Sequence, residues 1–481
     1  MSDPLALLPM AAAAGGGQVG EFEAQQLVAA GLTLLQRCAP LVRAMSGRRS
    51  AILLPASPAF LTALAASDGR GAVLLNPLAS PLEMAAQLRD AGVGAVFTIT
   101  PLAGRLPDAM PRVLLDEAPR AARYVGDGVT RDVDLGSHHG LSVEGDPGAA
   151  GRPEEAAIVY TSGMAGRALG AILTHRNLIA NARSTVEAAG NTAHDHVLAL
   201  LPFSHLFGLT VTGMAPLFAG GRVSTMERFN PARAVEVIAA GEITAVVGVP
   251  AVYRTLLTAY RRRSAGSGNL RLCICGGAPL DVELQDAWAD ATGVELRQGY
   301  GLTEAAPVCL FNRVDRPNVR GTMGVAFPGV EVSIRRPASG DAGVTPAVAS
   351  GTRGEICVKG DNVFAGYVSD DARGLRVRDG WLYTGDSGTM NADGTVAFDG
   401  VLKAMFTRNG FNIYPEEIRA AVMELAGVTD AVVRAIPEAT RENDIGIAVT
   451  GTVTVEDVRA WCERRLSGYK QPSEIILNSK Q

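Results

Sequence analysis

The chain has 481 residues, of which 47% are hydrophobic, and its 44 Lys and Arg against 49 Asp and Glu give a formal net charge of −5. At roughly 100–200 residues per domain, this length holds two to four domains with full-sized cores. The mildly acidic balance, without a dominant basic block, argues against nucleic acid or an anionic membrane surface as the main partner. Lysine occurs only at Lys359, Lys403, Lys470 and Lys480, so chemistry that requires an ammonium group has four candidates.

The six cysteines form no CxxC pair, and a chain of this length needs no disulfide to hold a core. We therefore expect reduced thiols and a cytoplasmic protein. Cys273 and Cys275 alternate, which on a strand places two small hydrophobes on the same face. The longest N-terminal apolar stretch, Leu5 to Ala14, is too short for a bilayer and follows Asp3, which predicts neither export nor a membrane span.

Apolar runs of strand length alternate with amphipathic stretches of helix length, a pattern typical of α/β layers. The first run, Ala51–Pro55, precedes a predicted helix over Pro58–Ala66. Further strands are predicted at Gly71–Leu75, Gly94–Thr98, Ala156–Tyr160, Val197–Leu201, Ala245–Val249 and Leu270–Cys275. Helices are predicted at Ser80–Ala91 and Pro231–Ala240. The low-complexity residues 11–20 and 339–351 are predicted to be mobile loop or tail.

After the turn-rich stretch Asn391–Gly400 the alternation resumes. It runs through Ala431–Ala435, Gly446–Thr450 and Val455–Leu466. We place a domain boundary between residues 399 and 400. The sequence thus predicts a large N-terminal domain, 1–399, and a small C-terminal domain, 400–481, of a size that can fold.

One glycine-rich segment is placed to bind phosphate. Gly15-x-Gly17-x-x-Gly20 formally matches a dinucleotide fingerprint, but no predicted strand precedes it, which favours chance. The segment from Ile158 to Gly170 is better placed, because it follows an apolar run and leads into a helix-like stretch beginning near Leu173. Backbone N–H groups in such a turn can face an anion, and Thr161 and Ser162 add hydroxyls. Alone the signal is weak, because a tight strand-to-helix turn needs glycines in any case.

Three later segments add to this signal. Gln298-Gly-Tyr-Gly-Leu-Thr-Glu304 sets an aromatic ring, a hydroxyl and a carboxylate between glycines, and Thr384-Gly-Asp386 offers a carboxylate suited to a ribose diol. Lys403 follows the predicted boundary, ahead of Asn409-Gly-Phe-Asn-Ile-Tyr-Pro-Glu-Glu-Ile418. With these motifs the chain resembles, over nearly its whole length and in the same order, the adenylate-forming superfamily of acyl- and aryl-CoA synthetases, beetle luciferases and nonribosomal-peptide adenylation domains. Among these it is most similar to the acyl- and aryl-CoA ligases.

The resemblance implies an α/β fold with a large multi-subdomain N-terminal domain of mixed sheets packed with helices. It also implies a small mobile α+β C-terminal domain that rotates about a hinge between two reactions. In the first reaction a fatty or aromatic carboxylate and ATP give an acyl-adenylate and pyrophosphate. In the second the acyl group passes to the thiol of coenzyme A or of a phosphopantetheine on an acyl carrier protein. The implied cofactors are ATP/AMP, Mg²⁺ and this thiol.

The resemblance also implies residue roles, for each of which loop geometry or solvent-facing charge is the alternative. Tyr300 would stack on adenine and Asp386 would bind the ribose hydroxyls. The implied nucleotide-binding residues are Thr161, Ser162, Gly163, Gly277, Ala278, Pro279, Tyr300, Gly301 and Asp386. Thr303 would contact the α-phosphate and Glu304 would hold Mg²⁺, which offsets charge on the phosphoryl oxygens. The implied catalytic residues are Thr303, Glu304, Lys403 and His205.

The acid pocket is suggested by Leu201-Pro-Phe-Ser-His-Leu-Phe-Gly208, which resembles a Pro-x-Phe-His-x-x-Gly stretch of acyl- and aryl-CoA ligases. The implied pocket residues are Phe203, His205, Val249, Tyr253, Gly276 and Ala305. A lone histidine among apolar residues is more often part of a core. Amino-acid-activating domains usually carry an Asp in this stretch, so Phe203 and Ser204 favour an uncharged acyl or aryl group.

Several positions depart from the family pattern. In the phosphate loop Met164 and Ala165 replace two hydroxyls, Ala168 replaces a proline and Leu169 replaces a lysine. A charge-assisted contact is worth about 1.5–3 kcal/mol, so these losses weaken productive ATP binding. Val401 follows Gly400 where the family has an arginine. The chain stops at Gln481, before the family's C-terminal Gly-Lys, so we expect a truncated C-terminal domain.

Three hypotheses remain open from the sequence. The first is a working, slow acid–thiol ligase. The second is a partial-cycle acyltransferase without de novo adenylation, with an amine or another unusual acceptor. The third is a non-catalytic binding or partner relative. The ligase ranks first because the fold and pocket motifs agree.

Overall fold

The structure is a computed structural model. It describes residues 8–67, 71–116, 119–136, 155–161, 168–226, 228–263, 266–337, 343–369, 377–402, 405–438 and 442–478. Helices α1 to α13 within these ranges are, in chain order, Leu8–Ala14, Ala24–Arg37, Ala39–Met45, Pro58–Ala66, Pro81–Asp90, Thr100–Ala103, His175–Ala189, Ala215–Phe218, Pro231–Ala239, Pro250–Arg263, Val282–Thr292, Pro415–Met423 and Val455–Arg465. A π-helical segment, Phe207–Met214, precedes α8.

Strands β1 to β27 within the same ranges are, in chain order, Gln18–Val19, Phe22–Glu23, Arg49–Leu53, Ala72–Leu74, Val93–Thr98, Arg112–Leu115, Ala121–Gly126, Val129–Asp134, Glu155–Thr161, Leu169–Thr174, His196–Ala199, Arg222–Thr225, Ala245–Gly248, Leu272–Cys275, Leu296–Gly301, Val308–Phe311, Val325–Ala326, Val330–Arg335, Arg353–Gly360, Val377–Arg378, Trp381–Met390, Val396–Val401, Phe406–Arg408, Phe411–Ile413, Val428–Glu438, Glu442–Gly451 and Glu474–Asn478. Short 3₁₀ turns occur at Thr303–Ala305 and Gly468–Lys470.

Among the described residues, three sheets form the larger part of the structure. The first has nine strands in the order β17-β16-β15-β14-β13-β11-β12-β1-β2, and the second has eight in the order β10-β9-β4-β3-β5-β6-β7-β8. The third is β18-β19-β21-β20, with β22 paired to β21. The central strands of the first two sheets run parallel, which is typical of sheets covered by helices. This part is the predicted large α/β domain of mixed sheets.

The C-terminal part is a small α+β unit. It has a hairpin, β23-β24, and a three-stranded sheet, β25-β26-β27, with α12 and α13 packed beside it. The predicted boundary at 399/400 falls inside β22, which still pairs with β21 of the large part. The Leu402 N–H also donates to Gly385 O at 2.8 Å. Residues 400–402 therefore pair with the large part of the structure.

Most of the predicted elements match the observed ones to within a few residues. The helix Pro58–Ala66 has the predicted bounds, and α5 begins after the N-cap Ser80, whose hydroxyl accepts from the Glu83 N–H. The prediction that residues 11–20 form a mobile loop or tail is wrong. They hold the end of α1 and strand β1, with Ala12 and Val19 buried. The run packs because a Cβ at Gly15 would lie 2.0 Å from a backbone oxygen of Leu217, so only a glycine allows this contact.

The buried cores include the cysteines. Cys273 and Cys275 lie on β14 with no exposed surface, as small core residues. Burial raises the pKa of Cys273 to about 12 and also raises the pKa of Cys275, so both stay as neutral thiols. No single helix among the described residues is long and apolar enough to cross a membrane. One pair bent by 88°, α2 with α3, meets the length and composition criteria, and its Leu27 and Leu34 are buried in the core.

A buried carboxylate joins three neighbouring parallel strands at their starts. Asp195 precedes β11, and its side chain is 2% exposed. It accepts hydrogen bonds from Arg271 Nε at 2.7 Å, before β14, and from the Thr244 hydroxyl at 2.8 Å, before β13. Burial raises the pKa of this carboxyl, but the Arg271 and Thr hydrogen bonds outweigh it and leave the pKa below its ordinary value.

We expect Asp195→Asn to lower the free energy of unfolding at pH 7 by about 2 kcal/mol, the size of a charge-assisted hydrogen bond. The folded-state pKa is depressed, so the carboxylate stabilises the protein above its unfolded pKa and loses this effect as the pH falls through the folded pKa. The difference from wild type should therefore shrink in acid. Urea unfolding followed by circular dichroism measures it, with Asp315→Asn, at a side chain 53% exposed, as control. Equal midpoints for D195N and wild type at pH 7 would contradict the assignment.

Candidate active site

The site lies where parallel strands end together. In the nine-stranded sheet β13, β14 and β15 are adjacent and parallel, with Gly248 opposite Cys275 and Cys275 opposite Gln298. The segments that leave their carboxyl ends therefore meet at one edge of the sheet. Ligands of open α/β sheets bind at such an edge. The edge opens into a cavity of about 450 Å³.

Residues of both parts of the chain line this cavity. The large part contributes the segment after β14, the end of β15 with the turn that follows it, and a carboxylate of β21. These residues are Gly276, Gly277, Ala278, Pro279, Tyr300, Gly301, Thr303, Glu304 and Asp386. The C-terminal part contributes Phe406, Thr407, Gly410, Phe411, Tyr414, Asn443, Tyr469 and Lys470. The cavity thus lies at the junction of the two parts.

Tyr300 and Asp386 form the central polar pair. The Tyr300 hydroxyl donates to Asp386 Oδ2 at 2.7 Å, and the Asp386 side chain is almost completely buried. Burial, together with the Asp386 charge, raises the pKa of Tyr300 well above its ordinary value. The phenol therefore remains a hydrogen-bond donor, and it holds the carboxylate at the cavity wall.

Glu304 is the carboxylate at the other polar wall. It lies in the 3₁₀ turn Thr303–Ala305, and its Oε1 accepts from the Tyr367 hydroxyl at 2.8 Å. The described residues contain no group of three or more His, Cys, Asp and Glu side chains that could hold a metal ion. Magnesium is usually held by one or two carboxylates together with substrate phosphates, and Glu304 fits that use.

His205 faces the cavity as a neutral imidazole. Its Nδ1 accepts the Phe207 N–H at 3.2 Å, so the proton of the neutral ring lies on Nε2. The ring is open to water in the cavity but is surrounded by protein, and this desolvation lowers the pKa of His205. Nε2–H is therefore available as a donor.

An apolar region adjoins these polar groups. Its walls come from the π-helical segment and from β14, β16 and the turn after β17, and they are Phe207, Val211, Ile274, Val308, Phe311 and Phe327. No charged side chain is among them. Gly276 keeps the junction open, because a Cβ there would lie 3.2 Å from the Phe207 ring.

Three predicted pocket residues are instead in the core. Tyr253 is fully buried, packs on Trp288 with ring centroids 4.8 Å apart, and donates to Val246 O at 2.8 Å. Phe203 packs edge-on against Phe60, and Ala305 is fully buried. None of the three is on the cavity wall. Val249 is half-buried and lies against Gly410 at the junction of the two parts.

The phosphate-loop region is only partly described. Ser162 and Gly163, like Lys403, lie outside the described residues, whereas Thr161 and Ala168 are on the cavity wall. Leu169 pairs with Thr161 at the start of β10 and is 5% exposed. Val401 pairs with Asp386 and also lines the cavity. Leu169 and Val401 thus place apolar side chains where the resemblance implies a lysine and an arginine.

Two charged wall residues, Glu83 and Lys470, are not among the predicted site residues. Glu83 and Lys470 line the cavity and contact each other at 3.0 Å, although they are 387 positions apart. Glu83 sits three residues after Ser80, a spacing that indicates a capping box and predicts a purely local role. Among the described wall residues Lys470 is the one Lys or Arg, and three carboxylates, Glu83, Glu304 and Asp386, accompany it.

The fold and the cavity define an adenylate-forming enzyme architecture, and comparisons with known proteins agree. The model of the AMP-binding enzyme family matches residues 38–368. The chain is 31% identical over 443 residues to a feruloyl-CoA synthase of Amycolatopsis sp, covering 90% of this chain and 85% of the relative. It is 30% identical over 464 residues to a long-chain-fatty-acid–CoA ligase of Salmonella typhimurium, covering 89% and 82%.

A solved structure shares the fold. The o-succinylbenzoate CoA synthetase of Bacillus subtilis superposes with a TM-score of 0.80 at 22% identity, covering 98% of this chain and 94% of that one. This chain belongs to the AMP-binding enzyme family.

We expect the His205 imidazole to titrate below the ordinary histidine pKa of 6.5, because its surroundings disfavour the charged ring. The NMR chemical shifts of ¹³C-labelled histidine, followed from pH 8 to 5, measure this value. His205→Gln assigns the resonance, and the exposed His194 serves as the internal reference. Titration of His205 at or above 6.5 would contradict the proposed neutral donor.

Proposed function

We propose that this chain is an AMP-forming acid–thiol ligase that activates an uncharged fatty or aromatic carboxylate. The observation that carries the proposal is that a single cavity is lined by Tyr300, Asp386 and Glu304 and also by an apolar region. The names of the relatives, feruloyl-CoA synthase and long-chain-fatty-acid–CoA ligase, support an acid of this class. The absence of charge on the apolar walls among the described residues supports it as well.

The nucleotide binds at the polar walls. Tyr300 and the Gly277–Pro279 segment enclose the adenine, and Asp386, held by the Tyr300 hydroxyl, accepts hydrogen bonds from the ribose diol. Thr303 donates to the α-phosphate. Glu304 would hold a Mg²⁺, which would offset negative charge on the phosphate oxygens.

The acid enters the apolar region. Its carboxylate oxygen attacks the α-phosphorus of ATP, an oxygen–phosphorus bond forms, and the bond to pyrophosphate breaks with its electron pair leaving on pyrophosphate. His205 donates Nε2–H to the carboxylate of the acid and orients it, since its Nδ1 is already used by the Phe207 N–H. Preorganised donors of this kind lower the barrier because they need no rearrangement during the reaction.

The thiol of coenzyme A, or of an acyl carrier protein's phosphopantetheine, accepts the acyl group. The thiol proton passes to water, the sulfur forms a bond with the acyl carbon, and AMP leaves with the electron pair of the broken carbon–oxygen bond. Gly410 lines the cavity at the junction of the two parts, where it packs against Val249.

We expect acid-dependent release of pyrophosphate and formation of a thioester when the protein is incubated with ATP, Mg²⁺, coenzyme A and a panel of fatty and aromatic acids. Pyrophosphate and thioester are measured separately, and a synthetic acyl-adenylate is tested with coenzyme A in parallel. Thioester from the adenylate without pyrophosphate from any acid would overturn the complete ligase and leave a partial-cycle acyltransferase. If no acid releases pyrophosphate and the acyl-adenylate gives no thioester, both the ligase and the partial-cycle acyltransferase are overturned.

We expect Leu169→Lys to raise the rate of acid-dependent pyrophosphate release by about tenfold, because a charge-assisted phosphate contact is worth about 1.5–3 kcal/mol. Leu169 is 5% exposed but adjoins the cavity residue Ala168, so a lysine stem can lie along the wall with its ammonium in water. Leu169→Met, which keeps the volume and adds no charge, should leave the rate unchanged. Equal rates for L169K and L169M would mean that the missing ammonium is not the defect.

A further inference from the structure

An ion cluster connects the two parts of the chain beside the cavity. Lys470 Nζ lies 3.0 Å from Glu83 Oε1, on α5 of the large part, and 2.6 Å from Glu417 Oε1, on α12 of its own part. The three side chains are 7%, 14% and 10% exposed. The Ser467 hydroxyl also donates to the Glu83 carboxylate. A second bridge runs from the Ser80 hydroxyl to Arg465 O at 3.2 Å.

The two ion pairs have different structural tasks. The Lys470–Glu417 pair lies within the C-terminal part, so it neutralises the buried ammonium wherever that part moves. The Lys470–Glu83 pair exists only when α5 and the C-terminal part are in contact. Burial lowers the pKa of Lys470, but the negative charges of Glu417 and Glu83 outweigh it and raise the pKa above its ordinary value. The ammonium therefore stays charged and available to Glu83 throughout the neutral range.

The same contact brings the hairpin of the C-terminal part to the cavity. Asn409 and Gly410 form the two-residue turn between β23 and β24, with φ of 52° and 77°, as expected for an Asn-Gly hairpin. A Cβ at Gly410 would lie 3.1 Å from the Val249 side chain. Phe411, next in the chain, stacks on Tyr469 with ring centroids 4.4 Å apart, and Tyr469 precedes Lys470. The ion cluster and the hairpin are thus joined through one stacked pair.

This arrangement suits acyl transfer better than activation. It lines the cavity with backbone and aromatic groups of the C-terminal part, Gly410, Phe411 and Tyr469 among them. It presents no free ammonium to a triphosphate from the described wall residues, because Lys470 is held between two carboxylates.

We propose that Glu83, Lys470 and Glu417 form an interdomain latch, a set of positioning residues that holds the C-terminal part in the arrangement for acyl transfer. The proposal rests on the ligase function proposed above. Glu83→Gln weakens the contact between the two parts without endangering the fold of the C-terminal part, because Lys470 stays paired with Glu417. Loss of Lys470 would instead leave two buried carboxylates without a counter-charge and endanger the fold.

The test compares Glu83→Gln with wild type in two readouts. Transfer of the acyl group from a synthetic acyl-adenylate to coenzyme A should slow about tenfold, as expected for loss of a charge-assisted contact that sets the docked population. Acid-dependent exchange of pyrophosphate with ATP should stay within about twofold. Hydrogen–deuterium exchange of residues 405–414 should become faster, and this readout needs no activity.

Two further variants complete the design. Glu83→Asp keeps the charge and should restore part of the transfer rate. Glu474→Gln breaks an ion pair with Arg434 inside the C-terminal part, at a side chain 42% exposed, and should behave as wild type. Unchanged hydrogen exchange in E83Q, or a raised KM for ATP with normal transfer, would overturn the latch. If the wild type forms no thioester, the ligase function fails, and hydrogen exchange still decides the latch.

Discussion

The common edge of β13, β14 and β15 is the constraint on which the site depends. Parallel neighbours place their carboxyl ends side by side about 4.8 Å apart, so segments far apart in the sequence meet without any long loop. At the opposite end of the sheet, Asp195 links the starts of β11, β13 and β14 through Thr244 and Arg271. Gly276 limits which groups can fit at this edge of the sheet. Gly276 lies against Gly299 O and the Phe207 ring, and any larger residue would close the passage between the polar and apolar walls.

The charge of the cavity wall is the second constraint on the site. The described wall residues carry Glu83, Glu304 and Asp386 against the single ammonium of Lys470. Groups suited to adenine and ribose are present, whereas Leu169 and Val401 provide no charge where the pyrophosphate end would need it. We therefore expect the described part of this wall to suit an acyl-adenylate, which lacks that end, better than ATP.

Features formed by neighbouring residues in the chain were predictable from the sequence, whereas contacts between distant segments were not. The predicted bounds of α4 agree with the structure, and the motif containing Tyr300 and Glu304 was found because its residues are contiguous. Tyr253 was wrongly assigned to the pocket because the sequence shows that α10 has an apolar face but not that this face meets Trp288. The alanines and glycines of residues 11–20 suggested a mobile tail, yet small side chains also permit close backbone packing. Nothing local indicated that Glu83 would meet Lys470.

The position of Lys470 links these two constraints. An ammonium beside a nucleotide cavity is usually available to phosphate, but here two carboxylates hold it, and one of them belongs to the other part of the chain. For Lys470 to reach a phosphate it would have to leave both partners, which exposes two nearly buried carboxylates and costs several kcal/mol. Docking of the C-terminal part against α5 avoids that cost. Of the few lysines in this chain, the described one that lines the cavity is paired with carboxylates at the junction of the two parts.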